Sequence, residues 1–337
     1  MSIQQRKIDH LNLIASGSST DRKGNYFDEI HLTHRALPEL NFNDIDTHTD
    51  FLNHILSMPF LIASMTGGEG KKIQAINQHL AEAAQTMKIP MAVGSQRIQL
   101  SRNKAKQSFN LRQYAPDIPL IANIGAVQLN YGVGVDEILQ IIETLDANAL
   151  YLHLNPLQET IQPEGNTNFR GLADKIHRLS EQLPIPIILK EVGAGLSTAD
   201  IQLGLDAGIR WFDLAGRGGT SWSRIEAERN TQDNDGILFQ DWGIPTPLAL
   251  REAQVFKNEA NFIASGGLRN GLDLAKSVIL GAHLGSMASP LLTTAMESTQ
   301  ATLQLLQQIQ RQLATSMFLL GAKKIKDLRH RTDFILS

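Results

Sequence analysis

The stretch Pro119-Leu120-Ile121-Ala122-Asn123-Ile124-Gly125 is an apolar run of strand length that opens on a proline and closes on an amide and a glycine. A run this short, apolar on both alternate faces, suits a strand buried on two sides in a parallel sheet. Seven other runs read the same way: Pro59 to Met65, Pro90 to Ser95, Ala149 to Asn155, Pro186 to Val192, Trp211 to Gly216, Phe262 to Gly267 and His283 to Ser289. Their starts lie 21 to 51 residues apart, and helix-like stretches fill most intervals, among them Ile73 to Met87, Val135 to Leu145, Phe169 to Gln182 and Ala199 to Ala207. Eight such β/α units in about 230 residues is the count of a closed (β/α)₈ barrel of the TIM type, an α/β fold. A doubly wound sheet is the architectural alternative. On the barrel reading, residues 1–58 form an N-terminal extension packed on a single barrel domain, 59–337, whose longest loops follow the fourth and sixth runs.

Composition narrows the function. The chain of 337 residues carries 31 Lys and Arg against 34 Asp and Glu, a net charge of −3, so it lacks the basic surplus of a nucleic-acid binder. No segment approaches the roughly 18 uninterrupted apolar residues of a membrane span, and the start Met1-Ser2-Ile3-Gln4-Gln5-Arg6-Lys7 has no secretory apolar region, so a cytoplasmic protein is expected. There is no cysteine, which excludes thiolate metal sites, disulfides and cysteine nucleophiles.

Active sites of (β/α)₈ barrels lie at the C-terminal ends of the strands. Here those ends collect glycine and polar residues: Thr66-Gly67-Gly68, Ser95-Gln96-Arg97, Asn123-Ile124-Gly125, His153-Leu154-Asn155, Lys190-Glu191, Gly216-Arg217-Gly218-Gly219-Thr220, Ser265-Gly266-Gly267 and Ala288-Ser289. The seventh and eighth ends stand where barrels bind phosphate through backbone N–H groups and a short helix N-terminus. With Thr66-Gly67-Gly68 at the first, they suit a phosphorylated cofactor across the mouth, FMN being the usual one. Lys190 ends the very apolar Ile185-Pro186-Ile187-Ile188-Leu189. It is either paired with Glu191 or another carboxylate, or a cation facing an anionic group such as the flavin N1–C2=O edge, which becomes negative on reduction.

The fourth run continues as His153-Leu154-Asn155-Pro156-Leu157-Gln158-Glu159, with His153 and Asn155 alternating to one face and Pro156 opening a loop. A lone carboxylate among amides suits Mg²⁺ better than zinc, because His153 would be the only nitrogen ligand, although a solvated loop acid is the plain alternative for Glu159. Arg6, Lys7 and His10 share one side if helical and can grip a phosphate, or they are a frayed basic terminus; Arg97 is better placed for the same anion. The run from Gly216 to Glu226 reads as a cofactor-covering loop opening a helix, capped by Thr220 or Ser221, with an i,i+4 pair Trp222/Glu226. Lys323, Lys324, Lys326, Arg329 and Arg331 read as the solvated end of a final helix.

These residues together resemble the type 2, FMN-dependent isopentenyl-diphosphate isomerases over nearly the whole chain. The likeness is carried by Arg6-Lys7-x-x-His10, His34-Arg35-Ala36-Leu37-Pro38-Glu39-Leu40, Ser64-Met65-Thr66-Gly67-Gly68, Gly94-Ser95-Gln96-Arg97, the His153 to Glu159 run with Gln162-Pro163-Glu164-Gly165, and Gly218-Gly219-Thr220-Ser221-Trp222. It implies a 1,3-allylic proton shift between isopentenyl and dimethylallyl diphosphate, run on reduced FMN with Mg²⁺, with NADPH as reductant and no net redox change. It further implies that the flavin is the acid/base, that Gln158 and His153 are catalytic and that Glu159 holds the metal. Arg6, Lys7, His10, Arg97, His153, Asn155 and Gln158 would contact substrate. Thr66, Gly67, Gly68, Ser95, Asn123, Lys190, Thr220, Gly267, Arg269 and Ala288 would contact FMN. The resemblance also implies a homotetramer or homo-octamer. Ser286 departs from the family's final phosphate turn, where a glycine is expected.

Two rivals share the barrel. A hydroxy-acid oxidase would need a histidine base near the end of the seventh strand, and Phe262 to Asn270 contains none. A non-catalytic flavin binder would explain the glycine-rich ends but not Gln158 and Glu159 beside His153 and Asn155.

Overall fold

All eight apolar runs become strands of one closed, wholly parallel barrel. The computed structural model describes residues 9, 10, 13, 24–65, 67–229 and 235–336. A short antiparallel hairpin, β1 (Thr49–Phe51) and β2 (His54–Leu56), precedes the barrel strands. These are β3 (Phe60–Ile62), β4 (Met91–Ala92), β5 (Leu120–Gly125), β6 (Ala149–Leu154), β7 (Ile187–Glu191), β8 (Trp211–Asp213), β9 (Asn261–Ala264) and β10 (Leu284–Met287), with β10 closing onto β3. Each strand is shorter than its run, and in all but β5 the last residues of the run leave the ladder and build the mouth. Every residue of β5 and of β7 is buried, as strands covered on both faces require.

The helices between the strands are α1 (Lys71–Met87), α2 (Arg97–Ser101), α3 (Val135–Leu145), α4 (Pro156–Ile161), α5 (Leu172–Ser180), α6 (Thr198–Asp206), α7 (Trp222–Arg229), α8 (Asp235–Leu238), α9 (Thr246–Ala253) and α10 (Gly271–Ile279); α11 (Ser289–Glu297) and α12 (Thr299–Leu320) follow β10. In α3 the buried residues Ile138, Ile141, Ile142 and Leu145 form one stripe at helical spacing, and Glu137 accepts from the Gly134 N–H at its start. Two cores result: an outer shell between strands and helices, and an inner one of Leu61, Ala92, Ile121, Ala149, Tyr151, Ile188, Ile263 and Leu284 inside the barrel.

Two readings of the sequence are corrected. Pro156 does not open a loop: it occupies the first turn of α4, where its missing N–H costs nothing, so Gln158 and Glu159 are held on a helix. Ser221, expected with Thr220 as the alternative caps of α7, stands at its start, where its carbonyl accepts from the Ile225 N–H at 3.1 Å and its hydroxyl donates to Gln240 O at 2.8 Å. The basic C-terminal residues lie beyond the last helix, which ends at Gly321 in the left-handed region with φ 70°. Lys326 lies in the 3₁₀ turn Ile325–Asp327, Lys324 just before it forms a backbone β-bridge with Asp46, and burial lowers the pKa of Arg329.

The hairpin plugs the floor. Phe51 packs edge-on against Trp211 at 4.9 Å, and Trp211 against His283 at 5.6 Å. His283 Nδ1 accepts from the Phe262 N–H at 3.3 Å, so the neutral ring is the form that fits. Burial, reinforced by the positive charges of Arg329 and His330, lowers its pKa from 6.5 to about 3. In the unfolded chain the ring binds its proton below pH 6.5 while the folded ring does not, so its contribution to stability is complete above 6.5 and is lost as pH falls towards about 3. His283→Asn keeps an acceptor for Phe262 and removes the titration. Denaturant unfolding of both proteins should show the wild type losing up to about 1.4 kcal/mol per pH unit relative to the variant across that window; parallel pH profiles would contradict this.

Candidate active site

At the C-terminal end of the barrel is a cavity of about 250 Å³ lined by residues from all eight strand ends. Of the residues singled out from sequence, His10, Gly67, Ser95, Arg97, Asn123, His153, Asn155, Gln158, Glu159, Lys190, Thr220, Gly267, Arg269 and Ala288 line it. Gly68 does not; its N–H donates to Ser108 Oγ at 3.2 Å. Arg6, Lys7 and Thr66 lie outside the described residues.

One wall is backbone. Gly266 and Gly267 have φ of +91° and +93°, and a Cβ on Gly266 would sit 2.0 Å from Gly216 O, so the β8 and β9 ends approach this closely only as glycines. Beside them α11 starts at Ala288–Ser289 with no side-chain cap; Pro290 has no N–H and the Leu291 and Leu292 N–H groups donate to Ala288 O, so the first turn offers the cavity the N–H of Ser289. Two hydroxyls of this region, Ser64 Oγ and Ser286 Oγ, are buried with no partner among the described residues.

The floor is charged. Lys190 Nζ lies 3.3 Å from Asp213 Oδ2 and donates to Glu191 O at 3.0 Å, so its ion-pair partner is Asp213 and not Glu191. The ammonium is paired, and it also lines the cavity. The Glu191 carboxylate turns back to accept from the N–H groups of Val192, Ala194 and Gly195, yet burial outweighs those bonds and raises its pKa to about 7.

Amides dominate the opposite wall. His153 Nδ1–H donates to Asn123 Oδ1 at 2.8 Å, while Asn123 Nδ2 donates to Val93 O at 3.0 Å, so the ring is held from below. A Cβ at Gly125 would lie 3.1 Å from His153 Nε2, and glycine there leaves the ring its place. Asn155 Nδ2 donates to Gln158 Oε1 at 3.1 Å and to Glu159 Oε1 at 3.0 Å, and Gln158 Nε2 donates to Glu226 Oε1 at 3.0 Å. His10 Nε2 meets that same oxygen at 3.0 Å, and Arg229 pairs with the other. Burial alone would raise the pKa of Glu226, but hydrogen bonds from His10 and Gln158 and the charge of Arg229 leave it lowered, so the carboxylate is ionised. The ring of His10 sits edge-on to Trp222 at 5.1 Å. Across the cavity Arg97 Nη1 and Gln128 Nε2 donate to Asn166 Oδ1 at 2.9 and 3.1 Å, and the Asn166 N–H donates to Glu159.

Glu226 is the site residue that sequence reasoning left without a role; its i,i+4 spacing to Trp222 was the available signal. Ser64 and Gln162, quoted from sequence only as parts of larger motifs, were likewise given no role and line the cavity.

A phosphorylated flavin fits this lining. The glycine wall and the Ser289 N–H at the helix start are shaped for phosphate, the buried unpaired hydroxyls supply partners for a polar ring system, and Lys190 supplies a positive charge. A hard cation fits at Glu159, where Asn155 Oδ1 is a second buried oxygen without a partner. Among the described residues no group of three His, Asp or Glu side chains forms a metal cluster, so any cation there would keep waters or ligand oxygens.

A family model described as FMN-dependent dehydrogenase matches residues 3–114 and 155–333. The isopentenyl-diphosphate delta-isomerase of Hydrogenovibrio crunogenus is 57% identical over 330 residues, covering 97% of this chain and 96% of that protein. Its namesake from Paracoccus zeaxanthinifaciens is 51% identical over 336 residues, covering 98% and 96%. Among solved structures, the recombinant flavin-binding domain of baker's yeast flavocytochrome b2 superposes with a TM-score of 0.69 at 16% identity, covering 97% of this chain and 82% of that one, a likeness of fold.

The cavity wall at Gly67 gives a direct test of this packing. A Cβ there would lie 2.2 Å from the buried ring of Phe109, so Gly67→Ala should destabilise the protein by about 1–3 kcal/mol in urea unfolding. Wild-type stability would mean that the ring can retreat.

Proposed function

The chain belongs to the isopentenyl-diphosphate delta-isomerases of the FMN-dependent dehydrogenase family, and on that footing we propose that it converts isopentenyl diphosphate into dimethylallyl diphosphate by a 1,3-allylic proton shift, with reduced FMN and Mg²⁺ at the barrel mouth. The observation that carries this reading is the linked wall Glu159, Asn155, Gln158, Glu226 and His10, facing a glycine-built anion site across one cavity. NADPH would supply the reducing electrons. The catalytic unit would be the barrel, 59–337, with 1–58 as its extension, in a cytoplasmic homotetramer or homo-octamer.

FMN, when bound in its reduced form, supplies the acid/base group at the alkene and accounts for an isomerisation without net redox change. The residues that would hold it are Thr66, Gly67, Gly68, Ser95, Asn123, Thr220, Gly267, Arg269 and Ala288, with Lys190 meeting its charge. An alkene is a weak base, so protonating it demands close placement and a surrounding that favours developing positive charge. Gln158, bonded on both sides to Asn155 and Glu226, cannot rotate freely and would orient the hydrocarbon end. The ionised Glu226 lies behind it as a fixed negative charge, and Trp222 and His10 exclude water above. The diphosphate is an unreactive handle whose binding energy positions the reacting carbons. Arg97, His153 and Asn155 would grip it, with Arg6, Lys7 and His10, while Glu159 would hold Mg²⁺, whose charge would offset that of the diphosphate.

The first experiment is anaerobic conversion of isopentenyl diphosphate with Mg²⁺ and NADPH, with and without added FMN. FMN-dependent isomer without stoichiometric NADPH consumption is expected; FMN bound with no isomer would move the reading to an oxidoreductase on the same barrel. Glu159→Gln should raise the Mg²⁺ concentration for half-maximal rate at least tenfold, and an unchanged Mg²⁺ titration would remove the ligand role. Gln158→Asn shortens the bridge to Glu226, so kcat should fall at least tenfold, about 1.4 kcal/mol in the barrier, with FMN still bound; wild-type turnover would take Gln158 out of the mechanism.

A further inference from the structure

Around and beneath the Lys190 ammonium lies a buried polar set, Asp213, Tyr151 and Ser265, that the reading above does not use. Lys190 on β7 is in register with Asp213 on β8, and the two charges meet where both are almost fully enclosed. Asp213 is wholly buried and does not touch the cavity. Tyr151 OH, from β6, donates to its Oδ2 at 2.8 Å, and Ser265 Oγ donates to its Oδ1. The three N–H groups of the ammonium are all spoken for, by Asp213, Glu191 O and Ser265 Oγ at 3.4 Å. Glu191, the other acid nearby, aims its carboxylate at backbone N–H groups, and His153, in register on β6, aims Nδ1 at Asn123. Burial and the Asp213 charge together raise the pKa of Tyr151, so its hydroxyl remains the donor.

A cation that faces a ligand across one layer and a carboxylate beneath it presents less than a full positive charge upward. The deficit depends on how strongly the carboxylate is neutralised by its other donors, because charges in a water-free interior are not screened. We propose that Asp213, held by Tyr151 and Ser265, is a positioning residue that fixes how much of the Lys190 charge a bound flavin meets, and thereby sets the reduction potential of the flavin. The inference rests on the reading that FMN binds at this mouth. It asks no chemistry of Asp213 itself, only a fixed negative charge one layer below the ligand.

The sign follows from the charges. Asp213→Asn keeps the shape and an acceptor for the hydroxyls but removes the negative charge, so reduced, more anionic flavin should gain on oxidised flavin. Tyr151→Phe takes a neutralising donor from Asp213, and the shift should be smaller and opposite. The test is anaerobic reductive titration of the FMN-loaded protein against a reference dye. Asp213→Asn should bind reduced relative to oxidised FMN at least tenfold more tightly than wild type, a rise of about 30 mV for two electrons. Tyr151→Phe should move the potential down. A merely structural pair would lower the unfolding midpoint and leave the potential where it was, and an unmoved potential in both FMN-loaded variants, or a fall in Asp213→Asn, overturns the inference. If Asp213→Asn does not fold, Tyr151→Phe decides alone, no downward shift being the overturning result. Failure of the wild type to bind FMN at all would instead defeat the functional reading, and this inference with it.

Discussion

A closed parallel barrel has no edge and no wet interior face, so every polar group placed inside it must find its partner within the barrel. Here the lower interior is settled by carbon alone, with Leu61, Ile121, Ile188, Ile263 and Leu284 in contact and the hairpin residues Phe51 and Leu56 closing the floor. The first polar layer above it is the Lys190 and Asp213 pair with Tyr151 and Ser265, and it is fully bonded. Only one layer higher do unpaired groups appear, on Ser64, Asn155, Gln162 and Ser286. The molecule thus passes from apolar, through polar and satisfied, to polar and unsatisfied, along the direction in which all eight strands run. A buried ion pair is weak evidence for stability, since removing both charges is often harmless. Its place directly under the unsatisfied layer is a reason to look for its value in the site and not in folding.

Much of this was legible because burial on both faces removes alternation. Strands such as β5 and β7 read as unbroken apolar runs, and the glycine and polar residues beyond them mark where the chain leaves the ladder. Side-chain partners were less legible. Lys190 could have paired with its neighbour Glu191, and only the register of β7 on β8 brings it to Asp213. Such register depends on how the whole barrel closes, which no local spacing encodes. Glu226 illustrates the same gap: it meets Gln158 and His10 across more than sixty and two hundred residues of chain, respectively. Pro156 was misread for a different reason. A proline ends a strand and begins a helix equally well, and the sequence after it is too short to show a helical period.

The fold alone carries no chemistry, and the parts of the chain that resemble oxidoreductases have to be separated from those that do not. The dehydrogenase family model leaves out residues 115–154, which hold β5 and β6 and with them Asn123 and His153. Relatives named isomerases match this chain nearly end to end, through that span. The histidine that a hydroxy-acid oxidase would need at the top of the seventh strand is absent. The nearest candidate in sequence, His283, sits at the opposite end of the barrel, half-buried against Trp211 and neutral over most of the pH range. Its Nδ1 is taken up by the Phe262 N–H, so it serves the floor and is out of reach of the mouth.

The arrangement around Gln158 limits what that wall can do. Its amide oxygen accepts from Asn155 and its amide nitrogen donates to Glu226, so both ends are fixed by buried neighbours. Glu226 is held ionised by Arg229, His10 and Gln158, which makes it an acceptor of protons and a poor source of them. Glu159 is likewise bound at both oxygens, by Asn155 and the Asn166 N–H. A wall built from bonded amides and an ionised carboxylate is suited to orienting a substrate, stabilising positive charge and excluding water. The same residues cannot easily deliver a proton to carbon, so an acid for such a step would have to come from elsewhere than this wall.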